Sequence, residues 1–98
     1  MKYIKKFENI ISVGYYVLLY KNFDDEYNNF ISNNIGIVVD LYNIINGEVG
    51  IKYDNVPSSL VDYFRSDGYR IFYSYQIEHI SCDRDDLDAI LQSKKYNL

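Results

Sequence analysis

Apolar and polar positions follow one another along this chain in short blocks bounded by turn-forming residues, the signature of strands more than of helices. The first block, Val13-Gly14-Tyr15-Tyr16-Val17-Leu18-Leu19-Tyr20, is rich in β-branched and aromatic residues and too short for a typical helix, so it predicts a strand. Lys21 to Asn34 reads as a long loop: Asp24-Asp25-Glu26, Asn28-Asn29 and Asn33-Asn34 outweigh Phe23, Tyr27, Phe30 and Ile31, which fold back within it. A second strand covers Ile35 to Tyr42. Alternation puts Ile35, Ile37, Val39 and Leu41 on a core-facing side, and Gly36, Val38, Asp40 and Tyr42 on the other.

Asn46-Gly47 predicts a tight hairpin turn, because both residues tolerate the positive φ such turns demand. Glu48 to Asp54 then pairs back antiparallel, with Val49, Ile51 and Tyr53 sharing a face. Pro57 suits a first helical position and Gly68 a stop, which predicts a short inserted helix from about Pro57 to Arg65. Tyr69 to Tyr75 reads as a strand and Ile77 to Ile80 as a short closing one. Asp83 is a good N-cap; Asp85, Asp86 and Asp88 lie early in the following segment and Lys94 and Lys95 late, so charges complement a helix dipole over 83–95. Leu87, Ile90 and Leu91 give that helix one apolar stripe.

The order of these parts resembles an SH3-like small β-barrel domain of bacterial or phage type. Val13-Gly14-Tyr15-Tyr16-Val17 looks like the opening strand of that family. Ile35-Gly36-Ile37-Val38-Val39 and Asn46-Gly47-Glu48-Val49-Gly50-Ile51 look like its hairpin, and Tyr75-Gln76-Ile77-Glu78-His79-Ile80 like its closing turn and strand. The resemblance spans about the middle two-thirds of the chain and implies a mainly β fold. That fold is an antiparallel barrel over 13–81 with a short inserted helix and a C-terminal α-helix, in one domain over 1–98. It is a pattern of strands and turns, so it implies no active site.

Length and charge narrow the function. At 98 residues one domain with one core is expected, with little room for a deep catalytic cleft. A net charge of −4 and a pI near 4.7 argue against binding driven by phosphate neutralisation. Direct nucleic-acid binding is thereby disfavoured, and a protein with a basic surface is the expected partner. The single Cys82 excludes an internal disulfide and suits a reducing compartment. Lys2, Lys5 and Lys6 precede an apolar run broken by Glu8, Asn9, Ser12 and Gly14, unlike a secretory leader, and no stretch is long and apolar enough to span a membrane. The expected location is cytoplasmic, the host cytoplasm if the gene is a phage's. Abundant Asn, Ile, Lys and Tyr point to A/T-rich coding, as in a low-GC bacterium or its phage.

Candidate chemistry is sparse. Counting from Asp83, an EF-hand calcium loop fails at its fifth position, Leu87, at its sixth, which lacks Gly, and at its twelfth, Lys94. His79 and Cys82 are too few for structural zinc and have no evident orienting third group, and the glycines show no phosphate-binding spacing. Neither catalytic residues, cofactor nor metal is expected; the reading is a partly buried thiol and a surface imidazole.

Twelve Tyr are harder to set aside. Tyr16, Tyr20 and Tyr42 fall opposite the apolar rows. Either they form a second small core beneath the C-terminal helix or they stand open as anchors of a protein interface. Together with the acidic run Asp24, Asp25 and Glu26 they are the candidate binding residues. The expected function is a non-enzymatic acidic protein-binding module, most concretely an anti-CRISPR-like phage or mobile-element inhibitor of a host nucleic-acid-processing factor. A small nucleic-acid-binding barrel and a bacterial accessory or peptide-binding domain are the alternatives.

Overall fold

The computed structural model describes residues 11–96. Its strands are β1 (Tyr16–Leu19), β2 (Gly36–Asn43), β3 (Glu48–Lys52), β4 (Tyr69–Tyr73) and β5 (Ile77–Ser81), and its α-helices are α1 (Glu26–Asn33) and α2 (Arg84–Tyr96). The strands form one antiparallel sheet in the order β4-β3-β2-β1-β5. β4 and β5 are its two edges and do not pair with each other, so hydrogen bonding leaves the sheet open where the resemblance implies a closed barrel. The mainly β antiparallel architecture with a C-terminal helix is as expected. Lys2, Lys5 and Lys6 lie outside the described residues.

β1 explains the layering. Val17, Leu18 and Leu19 are all fully buried, which a strand covered on one face cannot achieve, because successive side chains point to opposite sides. Val17 and Leu19 join the main core with Ile31, Val38, Val49, Ile51, Tyr53, Phe72 and Ile77. Leu18 points the other way, into a smaller cluster with Ile35 and Leu87 that Tyr16, Ile90 and Leu91 complete. The strand is also shorter than its apolar block. Val13 and Gly14 form a turn, locked to β2 where the Gly14 N–H donates to the Val38 carbonyl at 2.7 Å.

On β2 the expected facing is reversed. Val38 is fully buried and Val39 is 38% exposed. Gly36 lies opposite Val17 and Val38 opposite Ile51, so the even-numbered positions share the main core, while Ile35 turns into the second cluster. A register shift between Val38 and Asp40 then returns Leu41 to the main core side. Simple alternation fails because two cores and an irregularity act on one strand.

The segment read as a loop contains α1. Asp25 caps it, accepting the Asn28 backbone N–H at 2.7 Å, and Tyr27, Phe30 and Ile31 pack onto the main core at the i, i+3, i+4 spacing of one helical face. Asn residues serve the far end: the Asn33 and Asn34 amides donate to the Asn29 and Phe30 carbonyls, each at 2.9 Å. The hairpin is looser than expected, with a 3-10 turn at Ile44–Asn46 ended by Gly47 in the left-handed region (φ 80°). The inserted helix is 3-10 over Ser58–Tyr63, and β4 stops at Tyr73 before a 3-10 turn, Ser74–Gln76, that leads into β5. Asp83 accepts the Asp85 N–H at 3.0 Å, as expected of the residue heading α2.

Candidate interaction surfaces

The three acidic residues singled out in the sequence sit together at the start of α1 but do different work. Asp24 is exposed; its contacts with Lys21, at 3.3 Å, and with Asn29 hold its carboxyl below the usual range. Asp25 is the helix cap, and the hydrogen bonds from the Asn28 backbone and side chain lower its pKa likewise. Glu26 accepts a 2.6 Å bond from the Ser59 hydroxyl, tying α1 to the Ser58–Tyr63 turn.

That tie brings a neighbour the sequence reading missed. Tyr27 stacks on Tyr63 with ring centroids 4.8 Å apart, and the Arg70 guanidinium lies 5.4 Å from the Tyr27 centroid while donating to the Tyr63 carbonyl. Burial raises the Tyr27 pKa, with Arg70 opposing. Tyr63 and Val61 each leave about half their surface open, with Asp62 between them in the chain. The half-exposed Tyr63 ring is thus joined to the Asp24–Glu26 run, while Val61 lines a separate groove with Lys52, Asp54 and Asp67. The available signal was the i, i+3, i+4 stripe of Tyr27, Phe30 and Ile31 behind a capping Asp, hidden by the surrounding Asn.

The three chosen tyrosines are not brought together. Tyr16 is half-buried in the smaller cluster, with Arg84 over its ring, so for it the covered alternative holds. Tyr20 stands at the rim of an open groove of about 1060 Å³ between β5 and α2, with Lys21, Glu78, His79, Leu91 and Lys94. Within it Glu78 sits 3.3 Å from the Lys94 ammonium and 3.9 Å from the His79 imidazole. Tyr42 is on β2, exposed, and belongs to a second aromatic surface. There the Tyr69 hydroxyl donates to Asp40 at 3.3 Å, and Tyr73 stacks on Tyr75 at 5.3 Å. Partial burial, reinforced by the Asp40 carboxylate, raises the Tyr69 pKa.

Cys82 is exposed, not partly buried as expected, because it follows β5 at the turn into α2. Among the described residues no three His, Cys, Asp or Glu side chains are grouped to hold a metal ion, and no helix is long and apolar enough to cross a membrane. Comparison with protein-family models, curated proteins and solved structures finds no match to this chain.

Proposed function

We propose that this chain is a non-enzymatic protein-binding module that engages a basic protein surface at the corner where α1 meets the Ser58–Tyr63 turn. The observation that carries this reading is the junction of exposed Tyr63 with the carboxylates of Asp24 and Glu26, through the Tyr27–Tyr63 stack and the Ser59–Glu26 bond. A ring face flanked by carboxylates attracts Lys and Arg by both cation–π and Coulomb terms. In its most concrete form the module is an anti-CRISPR-like inhibitor from a phage or mobile element, whose carboxylates occupy a channel built for phosphates. The strand order and the 3-10 turn before the last strand support an SH3-like barrel as the underlying fold.

The test is affinity capture from a low-GC bacterial lysate, then surface-plasmon kinetics of the captured protein at two salt concentrations. Binding should weaken as salt rises, mainly through the on-rate, because exposed charges are screened over about 8–10 Å near physiological ionic strength. Asp24→Lys with Asp62→Lys should lower affinity while circular dichroism stays unchanged, and Tyr63→Ala should raise the off-rate. Salt-independent binding with full affinity in the double reversal would remove the proposal.

A further inference from the structure

Asn46-Gly47 serves the fold as a turn, and the acidic corner makes no use of it. It is the chain's one Asn-Gly pair: every other Asn precedes Ile, Phe, Asn, Val or Leu. Asn46 ends the Ile44–Asn46 turn between β2 and β3 and is exposed, beside Ile45, which leaves 94% of its surface open. The Asn46 carboxamide makes no hydrogen bond among the described residues, so it is free to rotate. The backbone, in contrast, is held on both sides of Gly47. Its N–H donates to the Ile44 carbonyl at 2.9 Å, and its carbonyl accepts the Ser74 N–H at 2.6 Å from the neighbouring turn.

We propose that Asn46 is a deamidation site of the folded protein, gated by this turn. The Gly47 nitrogen attacks the Asn46 Cγ and forms a C–N bond there; the side-chain nitrogen leaves as ammonia, taking the proton that the Gly47 nitrogen gives up. The product is a five-membered succinimide. Water then opens it at either carbonyl: breaking the new N–Cγ bond gives Asp, and breaking the original peptide bond gives isoaspartate, in which the backbone runs through the side chain. Gly at the attacking position matters because no Cβ crowds its nitrogen. While the turn is formed the reaction is blocked, since the nitrogen's proton is held on the Ile44 carbonyl and the 3-10 backbone fixes its direction. Opening the turn releases it. Such an opening costs less than unfolding, because of the three turn residues only Ile44 packs on the core. Either product adds a carboxylate close in sequence to Glu48, on a chain already of net charge −4, and isoaspartate also lengthens the backbone inside the turn.

The test incubates the full chain in mildly alkaline buffer without denaturant, in guanidinium chloride below the unfolding transition, and above it, with peptide mass mapping of the amide-to-acid exchange at position 46. The folded chain should accumulate both Asp and isoaspartate there, at least about tenfold more slowly than the unfolded chain, because only the open fraction reacts. Denaturant below the transition should hardly change the folded rate, since a local opening exposes little new surface. Asn46→Gln, which would have to close a less favoured six-membered ring, should keep its amide in the folded chain. Equal rates in the folded and unfolded chains would overturn the proposal by removing the gate. So would a folded chain that never reacts, or one whose rate climbs steeply with dilute denaturant, since the reaction would then need global unfolding. Asp without isoaspartate, or acid gained as fast in Asn46→Gln, would overturn it too, because water and not the Gly47 nitrogen would then be the attacking group.

Discussion

Leu87 of α2 packs into the same buried cluster as Leu18 of β1, and neither exposes more than 1% of its surface. The helix is therefore part of the core. Leu87→Ala should destabilise the protein by about 2–5 kcal/mol, the usual cost of removing a buried Leu side chain. Thermal unfolding followed by circular dichroism checks this, and an unchanged midpoint would mean that α2 does not dock.

Asp25 makes the stability of α1 depend on pH. Its carboxyl is held below its ordinary value first by the Asn28 backbone N–H and then by the Asn28 side chain. A carboxylate with a depressed folded pKa contributes stability that is present above its unfolded value of about 4 and is lost as pH falls through the lower folded value. Asp25→Ala should lower the melting temperature at neutral pH. Asp25→Asn, also a good cap, should largely keep it and flatten the acid dependence. Equal acid sensitivity in wild type and Asp25→Asn would assign that sensitivity to other groups.

The contrast between α2 and α1 shows what the chain made legible. α2 announced itself through Asp83, the charge gradient to Lys94 and Lys95, and an uncrowded Leu87, Ile90 and Leu91 stripe. α1 has an equivalent stripe, but Asn is a weak helix former, and here the Asn side chains are spent on the helix ends and on Asn28, which is buried between Asp25 and the Asn22 N–H. β2 was legible as a strand and illegible as to facing, because Ile35 and Val38 serve different cores. The tyrosine pairs Tyr27–Tyr63 and Tyr69 over Gly50 join residues far apart in sequence, and no local pattern encodes them.

Tyr53 is almost completely buried, which pushes its phenol well above the ordinary tyrosine value. Below about pH 10 it is neutral in both states and its contribution is fully present; above that the unfolded chain ionises first and stability falls. Its hydroxyl has only a long, 3.5 Å contact with the Ile31 carbonyl, so Tyr53→Phe should cost less than about 1 kcal/mol at neutral pH. The substitution should also make the alkaline loss shallower. Denaturant unfolding at neutral pH and above the tyrosine range measures both, and parallel losses for wild type and variant would exclude Tyr53 as a source.

Arg70 is the side chain that joins the sheet to the acidic corner. Its guanidinium lies 5.4 Å from the Tyr27 centroid and 6.0 Å from that of Phe72, and it donates to the Tyr63 carbonyl, so one group touches α1, the main core and the Ser58–Tyr63 turn. A planar cation suits this position: it stacks on a ring while its edge donates, and a lysine ammonium on a flexible stem does neither well. Arg70→Lys should therefore destabilise the protein despite keeping the charge. A double-mutant cycle between Arg70→Lys and Tyr27→Leu should show a coupling of about 0.5–2 kcal/mol, because each change removes the same stacked contact. The coupling should outlast the coupling of an exposed ion pair as salt rises, since a partly buried stack is screened less. Additive effects of the two substitutions would mean that Arg70 acts through the Tyr63 carbonyl and the Phe72 ring and not through Tyr27.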